Sequence, residues 1–81
     1  MFEGIVSFVS GKGWYFAENL TDHSAVFIHQ TDVENQRYLK AQDRISFSLA
    51  PNPNRPGMMK GVGVKYLGHI IARQFSGKGG L

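Results

Sequence analysis

The residues of this chain best suited to chemistry are aromatic and lie close together in sequence: Trp14 and Phe16 in one short run, Phe27 and His29 in another. In an extended strand, residues two apart share a face, so Trp14 and Phe16 point one way and Tyr15 and Ala17 the other. The same rule groups Phe27 with His29 and sets Val26 and Ile28 against them. The aliphatic pair suits a core, which places Phe27 and His29 outside. If the two runs are neighbouring strands, Trp14, Phe16, Phe27 and His29 make one exposed aromatic surface with Lys12 at its edge. Unpaired bases stack on such a surface, at about 1–3 kcal/mol per base and with little regard to sequence, because every base has a π-face. The competing reading, with these rings as core, leaves Val26 and Ile28 facing solvent and turns a histidine inward.

Other chemistry is poorly provided for. The histidines, His23, His29 and His69, have no two within four residues of each other, so metal-ligand spacing is missing. There is no cysteine, which excludes thiolate zinc, disulfides and a thiol nucleophile. Ser46 and Ser48 lack the context of a catalytic nucleophile. Gly11-Lys12-Gly13 is too short for a phosphate-binding Walker loop and reads as a hairpin turn whose lysine is either solvated or on a phosphate. The expectation is a protein that is not an enzyme and needs no cofactor.

These side chains need strands to hold them. The segments 4–10, 14–17, 25–29, 44–49 and 58–66 are short, rich in β-branched and aromatic residues or in alternation, and are separated by turn chemistry at 11–13 and 19–24. Segment 30–42 is a mixed connection with room for one helical turn. Segment 51–57 carries three prolines and is a loop, because each proline removes an amide donor. Five short strands without a long helix predict a small all-β barrel, closed so as to leave no edges, with an SH3-like barrel as the rival architecture. The barrel is expected over residues 1–66, and 67–81 as a basic, glycine-containing tail in which Ile70, Ile71 and Phe75 are the apolar residues.

Composition agrees. Eighty-one residues make one domain, and 42% hydrophobic residues with ten aromatic rings are enough for a core. No apolar run is long enough to span a membrane and the start lacks a signal-peptide pattern, so a soluble, cytoplasmic protein is expected. All six acidic residues lie in the first 43 positions, which carry a net −3, while the remainder carries +6. That asymmetry is consistent either with a polyanionic partner or simply with solubility.

Gly4-x-Val6, Lys12-Gly13-Trp14-Tyr15-Phe16 and Val26-Phe27-Ile28-His29-Gln30-Thr31 resemble, in order and spacing, the first strand and the two nucleic-acid-binding motifs of cold-shock domains. The resemblance runs from residue 2 to about 66, with Leu39 to Phe47 and Arg55-Pro56-Gly57 similar to the family's later elements. It implies a five-stranded antiparallel barrel of the oligonucleotide-binding class. It further implies single-stranded RNA and DNA as partners and an activity in loosening RNA structure. By position, Phe8, Lys12, Trp14, Phe16, Phe27 and His29 match the family's binding residues. Gln30, Tyr38 near the family's loop aromatic, Arg55 and Lys60 join them as expected contacts.

The departures are informative. Phe8-Val9-Ser10 stands where the family has Trp-Phe-Asn, Tyr15 replaces a glycine, and Gln30 occupies a place where many members carry a third phenylalanine. They imply a divergent member with weaker binding, and Gln30→Phe is expected to tighten it. A different class of function stays open: a protein-interaction module on the same scaffold, using Ile70, Ile71 and Phe75 or a strand edge to bind a partner or a second copy.

Overall fold

Apolar residues at every second position of β1 to β3 define an inner wall, and the chain curls until that wall meets itself. The structure, a computed structural model, describes residues 1–69. Its strands are β1 (Phe2–Val9), β2 (Trp14–Asn19), β3 (Ala25–His29), β4 (Asp43–Pro51) and β5 (Met59–His69), with 3-10 turns at Gln30–Asp32 and Glu34–Gln36. They form a closed barrel in the order β1-β2-β3-β5-β4, with β4 returning to pair with β1. All neighbours are antiparallel except β3 and β5, which meet in parallel with Phe27 opposite Lys60.

The interior is filled by Val6, Tyr15, Ala17, Val26, Ile28, Ile45, Phe47 and Val64 from the strands, closed off by Val33 and Leu39 from the β3–β4 connection. Tyr15, Ala17, Val26 and Ile28 are thus on the face that alternation assigned to the core. Gly4 is required by proximity: a Cβ there would lie 2.6 Å from the Glu18 carbonyl oxygen and 2.8 Å from the Phe47 ring. β1 and β2 can close up only because that side chain is missing.

Strand ends shift by one to three residues from the sequence expectation, β1 starting at Phe2 and β2 running to Asn19, and the largest changes are in β4 and β5. β4 extends to Pro51, tolerated at a strand end where the ladder no longer needs its amide. β5 does not stop at Tyr66. Arg44 pairs with Gly68 and Asp43 with His69, leaving Leu67 as the extra residue of a bulge that carries the strand three residues past the expected end of the barrel. His69 Nδ1 lies 2.7 Å from Asp43 Oδ1, and the other oxygen of this buried carboxylate accepts from the Lys40 amide at 2.8 Å. Ile70, Ile71 and Phe75 lie outside the described residues.

Candidate nucleic-acid interface

The second and third strands are neighbours. Trp14 faces His29, Phe16 faces Phe27, and the inward residues Tyr15 and Ala17 face Ile28 and Val26. Two consequences follow from this register: the alternate residues of both strands project outward together, and cross-strand rings come within packing range. Trp14 and Phe27 stack with centroids 5.9 Å apart and planes at 29°, while Phe16 meets Trp14 and Phe27 edge-on at 5.3 and 6.1 Å.

Phe8 joins the rings through a bulge. Regular alternation from the buried Val6 would turn Phe8 inward. The β1–β2 register slips between Val6 and Phe8, Ser7 becomes the additional residue, and Phe8 comes opposite Phe16 on the outer face. Its centroid is 5.6 Å from Trp14 and 6.2 Å from Phe16. The result is a cluster of four rings on one side of the barrel, with Phe8 about half exposed and the others partly so.

The β1–β2 hairpin sets the edge of this surface. Gly11 and Gly13 have φ of 75° and 96°, which glycine adopts without the steric cost of a side chain. Ser10 Oγ accepts from the amides of Lys12 and Trp14 at 2.9 and 3.2 Å, a role that the sequence pattern did not assign. Lys12 is exposed at the tip, beside Trp14.

His29 is exposed and oriented by Thr31. Its Nδ1 accepts from the Thr31 amide at 3.2 Å and lies 2.9 Å from the Thr31 hydroxyl. An acceptor nitrogen carries no proton, so in the neutral ring the hydrogen sits on Nε2, leaving a donor on the far side. Phe27, His29, Thr31 and Lys60 line a cleft with Asn52 and Asn54 of the β4–β5 loop. Thr31, Asn52 and Asn54 were not singled out from the sequence. The amides follow strand four across a gap of more than twenty residues, and no local pattern points to them.

The remaining expected contacts separate. Lys60 is brought to Phe27 by the parallel pairing. Arg55 is exposed on the β4–β5 loop, and its side chain is not among those lining the cleft. Tyr38 is 80% exposed and stands apart from the four rings, across a notch formed with Val9, Gly11, Gly13 and Gln30. Gln30 is partly buried, with its polar atoms engaged by the protein. Its Oε1 accepts from the Tyr15 hydroxyl, its Nε2 donates to the Arg37 carbonyl at 2.8 Å, and the Tyr15 oxygen accepts from the Leu39 amide at 3.2 Å. Tyr15 and Gln30, two of the departures from the cold-shock pattern, are therefore one hydrogen-bonded unit that fastens the β3–β4 connection to the barrel.

The Asp22 carboxyl is held below its ordinary range, chiefly by the Ser24 hydroxyl and then by the Ser24 amide. It sits in the β2–β3 turn, at the opposite end of these strands from Trp14 and His29. No group of three or more His, Cys, Asp or Glu side chains suited to a metal occurs among the described residues.

The closed five-stranded barrel has a counterpart among solved folds. The structure of "drosophila Unr CSD456" superposes with a TM-score of 0.66 over 82% of this chain, at 18% identity. This is the cold-shock fold. The cold-shock barrel spans here about a quarter of the length of that structure, 26% of it. No family model and no curated protein sequence matches the chain. The SH3-like alternative is set aside, because β1 pairs with both β2 and β4 in a cold-shock barrel closed by a parallel β3–β5 contact. No helix among the described residues is long and apolar enough to cross a membrane.

Proposed function

We propose that this chain is a divergent cold-shock domain that binds single-stranded RNA and DNA by stacking bases on Phe8, Trp14, Phe16 and Phe27, and that it acts in the cytoplasm to loosen or regulate RNA structure. The observation that carries this reading is the four-ring cluster on an outer barrel face. Large aromatic rings that could have filled a core instead lie partly in water, next to a histidine and within reach of Lys12 and Lys60. Such a surface provides stacking without base-edge selection, and the His29 Nε2–H adds a donor for a base carbonyl. Lys12 and Lys60 contribute positive charge for phosphates on two sides of the rings.

Trp14 is the only tryptophan, so its fluorescence reports on the surface directly. A short oligopyrimidine is expected to quench it saturably, and a duplex of equal length much less, because paired bases keep their faces covered. Emission indifferent to any oligonucleotide would overturn the proposal.

A further inference from the structure

A second aromatic and basic feature lies outside the four rings. Arg37 follows the second 3-10 turn, and its guanidinium carbon is 3.6 Å from the ring centroid of Tyr66 on β5, a separation at which the two planes stack. Tyr66 packs against the core, so the ring is a fixed support. The Arg37 backbone is held as well: its carbonyl accepts from Gln30 Nε2 at 2.8 Å and its amide donates to the Glu34 carbonyl at 3.4 Å. The side chain nevertheless remains exposed, and no carboxylate among the described residues pairs with it. One side of the guanidinium lies on a ring, and the residue as a whole is exposed.

This position lies at the end of a run of depressions that begins at the Gly11–Gly13 turn. The notch beside the Gly11–Gly13 turn shares Tyr38 with a second depression, lined by Arg37, Lys40 and Tyr66. That depression shares Arg37 and Tyr66 with a third, which reaches Lys65. The three depressions form a track leading from the hairpin beside Trp14, past Tyr38, to Arg37 and Lys65. Its cations are Arg37, Lys40 and Lys65, against Glu34 and Asp43, the latter already bonded to the Lys40 amide and the His69 ring.

We propose that the Arg37–Tyr66 stack is a second base-binding position, occupied by an unpaired nucleotide of the same strand after it leaves the aromatic surface and passes Tyr38. A base laid on the other face of the guanidinium makes a three-layer stack, a recognised mode for splayed bases, and the flanking phosphates fall near Lys40 and Lys65. The track is open and lined by cations and planar groups, which suits a flexible polyanion with flat bases. The proposal rests on the single-strand reading given above and adds to it a longer footprint.

The test compares oligothymidylates of four and twelve nucleotides on the full chain, read by Trp14 fluorescence. The four-nucleotide probe fits on the four rings alone. Arg37→Ala, a change at an exposed side chain, is expected to keep the melting temperature and the affinity for the short probe. The same variant should weaken the long probe by about fivefold or more, the low end of one stacked base. Arg37→Lys retains the charge without the plane and is expected to fall almost as far. Unchanged affinity for the long probe, equal losses on both probes, or full rescue by lysine would each overturn the second stacking position. A wild-type chain that binds neither probe would instead remove the single-strand reading on which it depends.

Discussion

Phe27 is the residue on which stacking and folding are most separable. It lies at one end of the ring cluster, against Trp14 and Phe16, while its neighbours Val26 and Ile28 supply the buried face of the same strand. Phe27→Ala is therefore expected to weaken oligopyrimidine binding by about 1–3 kcal/mol while the folding transition stays cooperative; a titration paired with a thermal melt checks both. Gln30 leads to a different forecast from the one the sequence suggests. Seen in the motif alone, it is a gap in a row of rings that a phenylalanine would fill. In the barrel, Gln30→Phe leaves the proton of the buried Tyr15 hydroxyl and the Arg37 carbonyl without their partner. Such a loss costs about 1–3 kcal/mol, or 4–8 °C of melting temperature for each kcal/mol in a domain of this size. A variant that melts at the wild-type temperature and binds more tightly would restore the sequence-level view.

Among the elements, β1 and β5 depart most from regular alternation, and each departure positions something. The bulge at Ser7 turns Phe8 outward, and the close approach at Gly4 lets β1 lie against β2 and the Phe47 ring. Gly4→Ala is expected to destabilise the fold by about 1–3 kcal/mol, because the contacts are with backbone and a fully buried ring that cannot swing away; denaturant unfolding would show it. At the far end of β5, the bulge at Leu67 allows Gly68 and His69 to pair with β4. A chain ended at Leu67 is expected to melt below one ended at His69, since it loses the last two ladder positions and the His69 bond to the buried Asp43. Equal melting temperatures would show that the barrel is complete at Tyr66.

At the scale of the molecule, barrel closure brings part of the basic second half against the acidic first half. β4 lies beside β1, so Arg44 of the basic half donates through Nε to Glu3 of the acidic half at 3.0 Å. Among the described residues the cations near the rings are few, chiefly Lys12 and Lys60, with Arg37, Lys40 and Lys65 along the track. Binding should accordingly weaken with added salt on a shallow slope. Each neutralised phosphate of a single strand contributes about 0.7 to the logarithmic slope, and stacking contributes nothing. A steep slope, or equal affinity for duplex DNA, would favour a plain electrostatic patch over the rings.

How much of this was legible follows from the range of each interaction. Alternation is a local property of an extended backbone, so the sequence by itself determined that Val26 and Ile28 are core, that Trp14, Phe16, Phe27 and His29 share the outer side, and that Tyr15 is buried. The glycines of the hairpin are equally local. Bulges are not, since an inserted residue is defined only by the partner strand, and the outward turn of Phe8 and the extension of β5 to His69 needed the paired ladder. Contacts between distant segments were decided by closure alone: Lys60 beside Phe27, Asn52 and Asn54 lining one cleft with His29, and Arg37 laid on Tyr66. Closing a barrel fixes which strands become neighbours, and no periodicity within a single strand carries that information.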